Sequence, residues 1–111
     1  MFNKEQFEVL KKLVDTFGNK QINICIEEMS ELTKELCKHN RGANNYPNII
    51  EEIADVYITL KQVEILFKIE REEIYEEINY KIKRVRDTVL ERFEMNEWKI
   101  KWTNAKGIWI V

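Results

Sequence analysis

Apolar residues recur three or four positions apart along most of the chain, the spacing of one face of an α-helix. Phe7, Leu10, Leu13, Val14 and Phe17 predict a first helix from about Lys4 to Phe17, with Asn3 placed to cap its start and Gly18 its end. Ile22, Ile26, Met29, Leu32 and Leu36 predict a second, from about Lys20 to Asn40, which Gly42 ends. Residues 41–46, with Gly42, Asn44 and Asn45, have the composition of a loop. Pro47 then opens a third helix, either within its first turn or just before an Asn48 cap with Glu51 three residues on. That helix is expected to reach about Ile69.

The third helix is apolar on two sides. Its main stripe is Ile49, Ile53, Val56, Leu60, Val63 and Phe67, and Ala54, Ile58 and Ile65 form a second set. Two apolar sides need two packing partners, and a short four-helix chain offers few, so the reading is an oligomerising helix. A fourth helix, from about Glu70 to Trp98, carries Ile74, Ile78, Ile82, Val85, Val89 and Phe93. Its acids come first and its bases later, the order that suits the helix dipole. Residues 100–111 end in a short apolar run and are open to two readings, a strand-like arm on a partner subunit or a frayed tail. The expected architecture is an all-α four-helix bundle completed by oligomerisation, with one domain over residues 1–99 and a tail over 100–111.

Composition narrows the function classes. The 111 residues include only three Gly and one Pro, as long helices with few turns require, and 34% are charged. A net charge of −2 gives no general attraction to nucleic acid polymers or to anionic membranes. No run of apolar residues is long enough to span a bilayer. Cys25 and Cys37 fall in one helix twelve residues apart, roughly 18 Å along its axis, too far for a disulfide. Free thiols and an amphipathic, charged N-terminus lead to the expectation of a cytoplasmic protein.

Two pairs of acids carry the candidate chemistry: Glu28 with Glu31, and Glu52 with Asp55. Each pair is spaced i, i+3 and so shares one side of its helix. The two helices are consecutive and joined by a short loop, so they should pack antiparallel and bring the four carboxylates together. Clustered carboxylates repel one another and are costly to desolvate, unless a hard divalent cation sits among them. With so many glutamates, Glu28 and Glu31 alone read as well as a solvated helix face. Asp55 is different. Aspartate is a poor residue for a helix interior, and this one sits among Ile53, Ala54, Val56 and Ile58, where an acid needs a compensating partner.

The strings Glu27-Glu28-Met29-Ser30-Glu31 and Glu51-Glu52-Ile53-Ala54-Asp55 resemble the E-E-x-x-E … E-x-x-D signature of the MazG-like, all-α nucleoside triphosphate pyrophosphohydrolases. The resemblance covers about residues 20–86. It implies hydrolysis of an NTP or dNTP to the monophosphate and pyrophosphate, with Mg²⁺ or Mn²⁺ as cofactor. It also implies a homodimer or homotetramer with the site near a subunit interface. Glu28, Glu31, Glu52 and Asp55 are then the metal ligands. Glu27 either orients a water or cation next to the ligands or is simply solvated, and Glu35, one turn beyond Glu31, is a candidate water-activating base. Lys81 and Arg84, i, i+3 on the fourth helix, are candidates for contacting phosphates, with a solvated basic face or an ion pair with Glu77 as the plain alternative.

Several other classes are excluded. There is one histidine, so no E-x-x-H pairs for a di-iron bundle and no Cys/His zinc cluster. There is no phosphate-binding G-x-x-x-x-G-K loop either. Two alternatives stay open: a non-enzymatic helical adaptor or regulator with solvated acids, and a phosphoribosyl-ATP-type pyrophosphatase on the same fold.

Overall fold

The computed structural model describes residues 1–90, and among them the backbone is helical with no strand. Helix α1 spans Lys4–Phe17, α2 Lys20–Asn40, α3 Tyr46–Leu66 and α4 Arg71–Val85, followed by a π-helical turn, Arg86–Leu90. The expected continuation of the fourth helix to Trp98, and residues 100–111, lie outside the described residues. The chain divides into two compact units, Met1–Ile69 and a second that starts at Glu70.

The helix ends follow from local chemistry. Asn3 Oδ1 accepts from the Gln6 backbone N–H at 2.8 Å while Gln6 Oε1 accepts from the Asn3 N–H at 2.9 Å, a reciprocal capping box. Gly18, with φ at 55°, closes α1 by donating its N–H to the Val14 carbonyl. Helix α2 ends in a Schellman turn. Ala43 N–H donates to Lys38 O and Gly42 N–H to His39 O, and the φ of 98° at Gly42 needs a residue without a Cβ penalty.

Helix α3 starts at Tyr46 with Asn45 in the N-cap position, so Pro47 lies in the first turn, the first of the two openings expected. It stops at Leu66 rather than near Ile69, because Lys68 is left-handed, with φ at 55°. There Ile69 N–H donates to Glu64 O and Lys68 N–H to Ile65 O, the same Schellman pattern as at α2 with a lysine in place of the glycine. Helix α4 starts with a capping box between Glu70 and Glu73.

In the first unit α2 and α3 form an antiparallel hairpin, and α1 packs mainly on α3. Leu10, Val14, Cys25 and Val56 make a small buried apolar core. The remaining buried positions of the hairpin are polar: Gln21, Glu35, Asn45, Thr59 and Gln62. On α2 one row of buried and half-buried residues is Gln21, Cys25, Glu28, Leu32 and Glu35; on α3 one such row is Glu52, Asp55, Thr59, Gln62 and Leu66, beside a second, apolar one of Ile49, Ile53, Val56 and Val63. The α2 row and the first α3 row repeat at alternating steps of three and four, so each is a single seam along its helix.

This reverses part of the packing expected from the apolar stripes. Of the α2 stripe, Ile22 and Leu32 are half-buried, but Ile26, Met29 and Leu36 are exposed. Of the α3 stripe, Val56 is buried and Ile49, Ile53 and Val63 are half-buried, whereas Leu60 and Phe67 are exposed, together with Tyr46, Ile50 and Tyr57. The hairpin puts its polar seam inside and much of its apolar surface outside. Ile58, from the second apolar set of α3, borders a small apolar depression with Phe2, Val9 and Leu10 of the N-terminal segment and α1.

In the second unit, no residue of α4 is buried; Ile74 and Val85 are half-buried and Ile78 and Ile82 are exposed. No helix among the described residues is long and apolar enough to cross a membrane.

Candidate metal centre

The middle of the polar seam holds the acids. Glu28 on α2 meets Glu52 and Asp55 on α3, and each of the three offers a carboxylate oxygen within 4.8 Å of the others. All three side chains are half-buried. Glu52 and Asp55 are three apart on one helix and so point the same way, and the antiparallel partner brings Glu28 across from them.

Their electrostatics fit the geometry. Burial raises the Glu28 carboxyl above its ordinary range, helped by the charges of Asp55 and Glu52, by hydrogen bonding with Asp55 and by the charge of Glu27. Burial also raises Glu52, followed by the charges of Asp55, Glu31, Glu51 and Glu35. Two carboxyls pushed upward by desolvation and by neighbouring carboxylates are short of positive charge. One oxygen, Glu52 Oε2, is buried and has no hydrogen-bond partner among the described residues.

A divalent cation suits this donor set. In an octahedron with metal–oxygen distances of about 2.1 Å, adjacent ligand oxygens are about 3 Å apart and opposite ones about 4.2 Å apart. A set of oxygens within 4.8 Å can close on such an ion with small side-chain adjustments. The orphaned Glu52 oxygen is the acceptor an ion would satisfy, and all-oxygen donors suit Mg²⁺ or Mn²⁺ better than softer metals.

The other acids lie around this trio. Glu31 is exposed and outside the close set, though near enough for its charge to raise Glu52. Glu27 is exposed beside Glu28. Glu35 is buried and fully engaged: Asn45 Nδ2 donates to its Oε1 at 3.0 Å, and Lys38 Nζ lies 3.2 Å from its Oε2. Those two partners, Asn45 first, hold the Glu35 carboxyl below its ordinary range. Lys81 and Arg84 lie on α4 in the second unit, both half-buried, with the Arg84 guanidinium 6.0 Å from the centre of the Tyr80 ring.

Asn45 was read from the sequence only as a loop residue, because asparagine after Gly42 and Asn44 reads as turn chemistry. The polar seam was not singled out either. Its signal was there, in polar residues recurring at steps of three and four on both helices, but periodicity searches weigh apolar positions. No family model, no curated protein and no solved structure matches the chain.

Proposed function

We propose that the protein is a Mg²⁺-dependent nucleoside triphosphate pyrophosphohydrolase of the MazG-like type, acting between the α- and β-phosphates of an NTP or dNTP. The observation that carries this reading is the buried, unpartnered Glu52 Oε2 within a carboxylate trio drawn from two helices. A solvated helix face would leave its oxygens in water, and a structural cluster would supply donors to them.

Glu28, Glu52 and Asp55 would hold the ion, with the Glu31 carboxylate beside them. A bound divalent ion supplies neutralisation of phosphate charge and a positioned, acidified water. The chain's own groups fix the geometry of that ion. The half-buried seam limits water around it, which strengthens each charge interaction there. Glu27, exposed beside Glu28, orients outer water molecules, and the family resemblance assigns phosphate contacts to Lys81 and Arg84.

A second copy of the chain covers the outer faces of α2 and α3 in this reading. Ile26 at 52% exposure, Ile50 at 50% and Tyr57 at 49% are more apolar surface than a lone small unit ordinarily keeps in water. A homodimer or homotetramer buries it.

The test is a panel of canonical and modified NTPs and dNTPs incubated with the protein and Mg²⁺, with release of monophosphate and pyrophosphate measured. Turnover of at least one substrate is expected. Asp55→Asn should lower it about a thousandfold, the loss of several kcal/mol of charge stabilisation. No turnover across the panel, together with no Mn²⁺ bound at millimolar concentration, would leave the adaptor reading standing instead.

A further inference from the structure

The polar seam has a second rung, two helical turns from the acids. Glu35 follows Glu28 by seven residues on α2, and Asn45 precedes Glu52 by seven on α3, so the two pairs are equivalent steps along the same antiparallel seam. At this rung Asn45 Nδ2 donates twice, to the Glu35 backbone carbonyl at 2.9 Å and to Glu35 Oε1 at 3.0 Å. Asn45 is buried at 9% exposure, and its Oδ1 has no partner among the described residues.

Asn45 holds the N-cap position of α3 but makes no capping hydrogen bond. An N-cap asparagine ordinarily accepts from the backbone N–H two or three residues on. Pro47 stands at the first of those places and has no N–H, and the remaining donor, at Asn48, is not used. The side chain turns to α2 instead. It forgoes the cap and leaves a buried acceptor unsatisfied, which is a costly arrangement unless the cross-helix tie is what matters.

We propose that Asn45 is a positioning residue whose tie to Glu35 sets the register and phase of α3 against α2, so that Glu52 and Asp55 face Glu28. The proposal rests on the reading of the trio as a metal centre. A slip of one residue in α3 turns each side chain by about 100° and carries Glu52 out of the seam. The same tie holds the Glu35 carboxylate between Asn45 and Lys38, so that Glu35 acts through the loop and not as a ligand or a base.

The experiment measures Mn²⁺ affinity of the full chain from the electron paramagnetic resonance signal of the free ion, with helicity and metal-free melting recorded for each variant. Asn45→Ala should bind Mn²⁺ about tenfold more weakly, the scale of loss when a group that orients the ligands is removed. Asn45→Leu has nearly the same size but cannot donate, and should give a similar loss. Glu35→Gln keeps an acceptor for Asn45 and should keep the wild-type affinity. Leu10→Ala, in the core between α1 and α3, should lower melting while leaving Mn²⁺ affinity in place. Wild-type affinity in both Asn45 variants overturns the tie and leaves the metal centre intact. An equal loss in Leu10→Ala reduces Asn45 to a structural residue and overturns the proposal. Glu35→Gln with full affinity but collapsed turnover makes Glu35 the base and overturns it too. Absence of Mn²⁺ binding in the wild type removes the metal centre itself.

Discussion

The two sides of the α2–α3 hairpin are built against ordinary practice. Its inner seam carries Gln21, Glu28, Glu35, Glu52, Asp55, Thr59 and Gln62, while its outer faces carry Ile26, Met29, Leu36, Ile50, Tyr57 and Leu60. Burying polar groups costs free energy unless each finds a partner, and leaving apolar groups in water forgoes their burial. A chain selected only for stability as a lone unit would exchange the two. The difference is what the proposed function would require, with the seam kept for its chemistry and the outer faces covered by a second copy.

Altering each side separately sharpens the contrast. After the loss expected of Asp55→Asn, the next largest effect is expected on the outside. Ile26→Glu with Leu36→Glu should weaken self-association at least about a hundredfold, since apolar contact is replaced by buried charge. Sedimentation velocity over a concentration series measures this, and an unchanged distribution of species would remove α2 from the contact surface. The carboxylate trio lies on the other side of the hairpin, so a Mn²⁺ titration of this variant tests ligation apart from assembly.

A smaller effect, of opposite sign, is expected inside. Gln21 is 2% exposed, and its Oε1 lacks a partner among the described residues. Gln21→Leu should therefore stabilise the fold by about 1 kcal/mol, a few degrees in melting temperature, because an unsatisfied buried acceptor is replaced by an apolar group of similar size. A destabilised variant would mean that the amide is bound to something that leucine cannot replace.

The smallest effect is on pH dependence. Glu28 and Glu52 are raised in the folded state, so without metal they lower stability when ionised, and this penalty fades as pH falls through their folded values. Glu35 is lowered, so its contribution is present above its unfolded value and lost as pH falls through its folded value. On going from about pH 7 to about pH 5 the metal-free protein should therefore hold or gain melting temperature through the acid pair, while Mn²⁺ affinity falls because protons compete for the same oxygens. Affinity that is flat over that range would show that the raised carboxyls are not ligands.

The residues themselves explain what could be read from the sequence. Helices α1 and α2 were legible to the residue because Asn3, Gly18 and Gly42 are strong local signals that act over three or four positions. At the start of α3 Pro47 lies in the first turn, one of the two openings expected, but its end was displaced, because Lys68 adopts a conformation that lysine does not advertise. Asp55 stood out because an acid among Ile53, Val56 and Ile58 needs a reason, and spacing pointed to Glu28 and Glu52. Glu31 shares that spacing yet lies outside the close set, since i, i+3 places a side chain on a face without fixing how far it reaches. The stripes of α2 and α3 were read correctly as apolar. Periodicity does not say whether a stripe meets its own chain, and here much of it does not.

Lys68 narrows what the chain can become. With φ at 55° it completes the turn after α3, where its counterpart after α2 is Gly42. A side chain there is already strained, and a second branch at Cβ strains it further. Glycine and asparagine fit the position more comfortably than lysine does, whereas valine, isoleucine and threonine fit worst. Divergent descendants of this sequence should therefore drift freely along the solvated part of the helix before it, yet carry a short menu of residues at this one corner.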